Sequence, residues 1–79
     1  MPAEVIVYST TWCGYCRVAK KFLDEHNVAY TEIDIEQDED AALRVEQWNR
    51  GNRIVPTIDI NGTMMTNPST AQMRQALGL

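Results

Sequence analysis

The sequence predicts an α/β domain of minimum size, ordered β-α-β-α-β-β-α, with a four-stranded mixed sheet and helices on both faces. Three observations predict it. The apolar pattern passes from a short continuous run to helical spacing and back within residues 5–35. That stretch has the size of a βαβ unit, about 30 residues, which makes its two strands parallel. Further on, Asn61-Gly62 sits between two short β-rich runs, a strong hairpin signal.

Each element follows in order. Val5-Ile6-Val7-Tyr8 is an apolar, β-rich run suited to a buried strand, and Ser9-Thr10-Thr11 breaks it with turn and N-cap residues. Over 17–26, Val18 with Phe22 and Ala19 with Leu23 form i,i+4 pairs, with charged residues between them, so a first helix is expected there, ending near Asn27. Residues 28–35 alternate as a second strand, with Ala29, Thr31, Ile33 and Ile35 on one face. The acidic stretch 36–40 caps a second helix over 40–50, with Ala41, Val45 and Trp48 on its inner side and Gly51-Asn52 at its end. Residues 54–60 form a third strand carrying Pro56 near its start, and 63–66 return antiparallel. There Met64 and Met65 face opposite ways, one inward and one outward. Pro68 opens the last helix in its first turn, Ser69 and Gln72 have capping-box spacing, and Met73, Ala76 and Leu77 face inward.

Composition removes several function classes. Seventy-nine residues, 44% of them hydrophobic, suffice for one domain over 1–79 and not for two. Seven basic against eleven acidic side chains give a net charge of −4, with no phosphate-neutralising stripe, so no nucleic-acid partner is expected. No apolar run approaches the roughly 20 residues that span a bilayer. The segment 1–7 lacks the basic start and long apolar stretch of a secretion signal. A soluble cytoplasmic protein without a membrane partner is expected.

The chemistry lies in Thr11-Trp12-Cys13-Gly14-Tyr15-Cys16, which holds both cysteines of the chain. A bridge between Cys13 and Cys16 closes a tiny loop and removes little unfolded-state entropy, so it is a poor structural staple. Structural zinc wants four ligands, and the chain offers two cysteines and His26; a site shared between two chains stays open. The pair falls where the first strand hands over to the first helix. Helix-start N–H groups favour a thiolate, the form that attacks disulfides. Cys13 is therefore the expected nucleophile, with a lower thiol pKa than Cys16, and Cys16 is placed to attack a mixed disulfide on Cys13. Arg17 and Lys20 add positive potential, weakened by solvent. Gly14 and Trp12 suit a reactive rim better than a core. Tyr15 reads equally as a lid on the sulfurs or as a surface aromatic.

With Trp12-Cys13-Gly14-Tyr15-Cys16, Val55-Pro56-Thr57 and this element order, the chain resembles the glutaredoxin branch of the thioredoxin superfamily over essentially its whole length. Gly51-Asn52-Arg53-Ile54-Val55-Pro56-Thr57 and Thr66-Asn67-Pro68-Ser69 resemble the mycoredoxins, the actinobacterial type within that branch. The resemblance implies a thioredoxin/glutaredoxin-like fold and a disulfide oxidoreductase that reduces mixed disulfides between proteins and mycothiol. It makes Cys13 the attacking and Cys16 the resolving thiol. It has Val55 align the thiol substrate through its backbone, and places a cis Pro56 facing the sulfurs. Thr11, Trp12, Tyr15, Arg53, Asn67 and Ser69 complete the implied substrate-binding set. No bound cofactor or metal is implied. Mycothiol is the co-substrate, electrons come from NADPH through a mycothiol disulfide reductase, and the chain is expected to act as a monomer.

Departures from the glutathione-using pattern sharpen that expectation. Those proteins usually carry a lysine three residues before the first cysteine, where this chain has Thr10. They usually have Gly-Gly and an aspartate where it has Thr66, Asn67 and Ser69, and proline where it has Gly14. Hydroxyl and amide groups suit a sugar-based thiol better than charges do, although Asn67 and Ser69 also have a full structural role as caps. Two other readings stand beside this one: an electron donor to ribonucleotide reductase recharged by thioredoxin reductase, and an iron–sulfur carrier with a cluster between two chains. Arg53 reads as a substrate contact or as a solvated loop charge. His26 reads as a helix-end cation rather than a base, and Trp48 as packing.

Overall fold

The computed structural model describes residues 4–79, so the first three residues of the stretch weighed as a secretion signal lie outside it. Strand β1 (Val5–Ser9) leads to α1 (Gly14–Glu25), β2 (Thr31–Asp34), α2 (Glu39–Trp48), the hairpin β3 (Thr57–Ile60) and β4 (Thr63–Thr66), and α3 (Thr70–Leu77). The sheet order is β2-β1-β3-β4. β1 runs parallel to β2 and antiparallel to β3, which pairs antiparallel with β4. The thioredoxin/glutaredoxin-like α/β fold is the one the sequence predicts.

Alternation along the strands splits the core into two layers. Val5, Val7, Ile58 and Ile60 meet Ala19, Phe22 and Leu23 of α1 and Met73 of α3 on one face. Tyr8 meets Ile35 and Ala41, Ala42 and Val45 of α2 on the other. Val7, Leu23, Val45 and Ile58 are fully buried, each contributing about 1.5–3 kcal/mol relative to exposure. Among the described residues, no helix is long and apolar enough to cross a membrane.

Several boundaries differ from expectation, for physical reasons. α1 begins at Gly14, one turn before residue 17, because Cys13 itself is the N-cap. β2 is shorter than 28–35: pairing opens at Ile6↔Thr31 and closes at Ser9↔Asp34. Val28 and Tyr30 still pack on the first layer, and Ile35 is buried in the second. α2 begins at Glu39, capped by the Asp38 side chain, and ends at Trp48, with Asn49 as C-cap. Trp48 does not pack inward; it is 50% exposed. The buried stripe 41, 42, 45 continues at 49, four residues after Val45, and Asn49 occupies that place. β3 begins only at Thr57, after the proline. Met64 and Met65 are both half-buried, on opposite faces, rather than one inside and one outside.

Pro68 precedes α3 rather than entering its first turn, because Ser69 is the N-cap, with the full capping box to Gln72. Ala76 is exposed, since this two-turn helix meets the core through Met73 and Leu77. Asn61 and Gly62 turn the hairpin with φ of 53° and 89°, the doubly positive geometry of a type I′ turn.

Candidate active site

Register brings the chemistry to one edge. Ser9 pairs with Asp34, Tyr8 with Thr57, and Thr57 with Thr66. The chain therefore leaves β1, enters β3 and leaves β4 at the same end of the sheet. The loop to Cys13, the Val55–Pro56 turn and the Asn67–Ser69 turn all start there.

Cys13 and Cys16 are joined in a disulfide with their Cα atoms 5.2 Å apart. Cys13 has extended dihedrals, φ −82° and ψ 111°. Its Sγ accepts the Cys16 N–H at 3.1 Å, and its carbonyl accepts the Arg17 N–H at 3.3 Å. The sulfur thus fills the place of an N-cap oxygen, satisfying a first-turn donor that would otherwise be unpaired. On reduction, the charge on a Cys13 thiolate faces that donor and the positive end of α1. Cys13 is 5% exposed and Cys16 is fully buried, while Trp12 and Tyr15 are 66% and 69% exposed. Two large aromatics therefore stand out of the surface around a recessed disulfide.

The Val55–Pro56 peptide is cis, Pro56 is buried and Val55 half-buried. The Pro56 carbonyl accepts the Asn67 N–H at 2.7 Å, which ties the second loop to the third. Asn67 holds a left-handed φ of 43°, a conformation asparagine tolerates better than most residues. Ser69 caps α3.

The expected binding residues fall into separate places. Tyr15, Val18, Asn67, Pro68, Ser69 and Met73 line one open cleft of about 340 Å³, with no charged residue in its wall among the described residues. Thr11 lies in another, of about 440 Å³, with Ser9, Thr10, Arg17, Lys20 and Glu32 among its walls. Arg53 lines neither; its guanidinium is held by Glu46 and, at 2.9 Å, by Glu39. Those carboxylates raise its pKa above the ordinary guanidinium value.

Lys20 gives the sulfurs less than its charge suggests, because it donates to Glu32 at 2.7 Å. Glu32 also accepts from Ser9 Oγ at 2.8 Å. The Lys20 and Ser9 hydrogen bonds hold its carboxyl below the usual carboxylate range. His26 closes α1 far from the sulfurs, its Nδ1 2.9 Å from the Phe22 carbonyl. Two side chains carry more than the sequence pattern shows. Thr10 is 5% exposed, and its Oγ1 is a buried hydroxyl without a partner among the described residues. Asn49, legible only as a helix-end residue, hydrogen-bonds to both Thr57 and Thr66.

Comparison with known proteins agrees with this geometry. The sequence model of the glutaredoxin family matches residues 5–65. Mycoredoxin 1 of Corynebacterium glutamicum is 46% identical over 72 residues, covering 90% of this chain and 89% of that protein. The crystal structure of the thioredoxin-like protein BC3987 superposes with a TM-score of 0.81 at 30% identity, covering 92% of this chain and 99% of that one. A buckwheat glutaredoxin–glutathione complex gives a TM-score of 0.73 at 29% identity, covering 96% and 71%.

Proposed function

We propose, from the premise that this chain belongs to the glutaredoxin family, that it reduces mixed disulfides between proteins and mycothiol. The observation that carries the redox reading is the Cys13 sulfur seated on the Cys16 N–H at the start of α1. The Cys13 thiolate attacks the mycothiol sulfur of a protein–mycothiol disulfide. The protein leaves as its thiolate and is thereby reduced, and Cys13 carries mycothiol. A second mycothiol thiolate attacks the bound mycothiol sulfur, releasing Cys13 and mycothiol disulfide. NADPH, acting through a mycothiol disulfide reductase, supplies the two electrons that restore mycothiol. Alternatively Cys16, as thiolate, attacks Cys13 Sγ and expels mycothiol, giving the Cys13–Cys16 disulfide. Each exchange depends on thiolate fraction and on the leaving thiol.

Two observations support mycothiol over glutathione: the 46% identity to mycoredoxin 1, and the uncharged wall of the Tyr15–Asn67–Ser69 cleft. A peptide thiol with an amine and carboxylates wants charged partners, whereas a sugar-based thiol wants hydroxyls and amides. In this reading the Val55 backbone aligns the small thiol and Pro56 faces the sulfurs. Thr11 and Trp12 border the protein half of the disulfide, Tyr15 borders the small-thiol cleft, and Arg53 serves α2. The chain works as a monomer in the cytoplasm.

The test is turnover of one peptide mixed disulfide with mycothiol or glutathione as the sole thiol, each with its own reductase. Mycothiol is expected to be favoured at least about tenfold in kcat/KM, as for a difference of about 1.4 kcal/mol. Equal rates, or a preference for glutathione, would contradict it. Activity only with thioredoxin reductase would favour the ribonucleotide reductase donor instead.

A further inference from the structure

Around Asn49 the hydrogen bonds close into a ring that includes two of the loops starting at the site edge. The Asn49 Nδ2 donates to the Val45 carbonyl at 3.0 Å and to Thr57 Oγ1 at 3.1 Å. Its Oδ1 accepts from Thr66 Oγ1. Thr57 directly follows Pro56, and its hydroxyl donates to the Ile54 carbonyl at 2.8 Å. Thr66 directly precedes Asn67, whose N–H reaches the Pro56 carbonyl at 2.7 Å. Thr57 and Thr66 are also opposite partners in the β3–β4 ladder.

Proton bookkeeping leaves one arrangement. The Thr57 hydroxyl has a single proton, and the Ile54 carbonyl can only accept it. Thr57 Oγ1 must therefore accept from Asn49, which turns the amide nitrogen toward β3 and its oxygen toward Thr66. Both amide protons are used. An alanine cap would leave the Thr57 oxygen without this donor and Thr66 without its acceptor.

We infer that Asn49 is a positioning residue for thiol exchange. It sets the spacing between the Val55 backbone and the Asn67 turn, the two edges that hold the small-thiol half of the mixed disulfide. The other ties between these segments are the Asn67 N–H bond to the Pro56 carbonyl and the β3–β4 ladder, while Arg53 is tied to Glu39 and Glu46 of α2. Residues 50–54 are exposed, Arg50 and Gly51 have positive φ, and Asn67 sits in the left-handed region. The inference rests on the small-thiol reading of that edge given above.

The test compares Asn49→Ala, Thr66→Val and the double variant by two readouts. One is hydrogen exchange of the Asn67 amide by NMR. The other is kcat and KM for a peptide–mycothiol disulfide, repeated with the peptide–glutathione disulfide. For Asn49→Ala, exchange is expected to quicken and KM to rise, each roughly fivefold, because the bonds to Thr57 and Thr66 are lost together; kcat stays within about twofold. Thr66→Val, at an exposed position, should shift both the same way by less, and the double variant should be no worse than Asn49→Ala. A lower melting temperature with KM and Asn67 exchange unchanged in both single variants would reduce Asn49 to a helix cap and overturn the inference. A KM shift seen only with glutathione, in an enzyme inactive with mycothiol, would sink the mycothiol reading and leave the positioning role standing.

Discussion

Cys13→Ser is expected to abolish mixed-disulfide reduction, lowering turnover by about a thousandfold or more, while leaving the fold intact. The two halves of this expectation come from one contact. The Cys13 sulfur is the N-cap of α1, and serine is among the best N-cap residues. The substitution therefore keeps a side-chain acceptor for the Cys16 N–H and costs α1 little. The chemistry does not survive, because a serine hydroxyl stays protonated where a thiol ionises, and only the ionised sulfur attacks a disulfide. A coupled NADPH assay beside a thermal melt separates the two effects. Substantial residual turnover would mean that another group attacks, and the one cysteine left in that variant is the fully buried Cys16.

Cys16→Ser has the opposite expectation. The donor that serves Cys13 is the Cys16 backbone N–H and not its side chain, so replacing the sulfur leaves the thiolate's environment in place. Reduction through the mycothiol-only route should persist within about threefold. With no resolving thiol, the mycothiol adduct on Cys13 should accumulate and be visible by mass spectrometry. Cys16 is fully buried in the first turn of α1, so the new hydroxyl needs a partner; the carbonyls three and four residues back are those of Cys13 and Trp12. Complete loss of activity in a variant that still melts cooperatively would show that the Cys13–Cys16 disulfide is obligatory in the cycle.

The frame of the molecule was legible because it depends on period and turn chemistry. Val5 to Tyr8, the Phe22–Leu23 stripe, Asn61-Gly62 and the Ser69–Gln72 box each speak through local rules that tertiary contacts did not overrule. Trp48 shows where such rules stop. A helical stripe does not say which residue ends it, and here a polar Asn49 goes inward because two threonines await it. The start of α1 was misplaced because the cap is a sulfur, outside the usual set of capping oxygens, and Gly14 disguises the first turn. The position of Cys13 at a helix start could be read from sequence. The pairing of Arg53 with Glu39 and Glu46, and of Lys20 with Glu32, could not, since both span separate elements. The cleft that gathers Tyr15, Asn67 and Ser69 depends also on the β1–β3 register, which no local pattern encodes.

The proposed chemistry stands on the ionisation of one sulfur, and this can be measured directly. Reduced protein is alkylated with iodoacetamide across a pH series, and the modified cysteine is identified by peptide mass. Cys13 should react first, with a midpoint at least about one unit below the 8.5 of a free cysteine, and Cys16 should react only when the protein unfolds. A Cys13 midpoint at or above the free value, or earlier alkylation of Cys16, would contradict it.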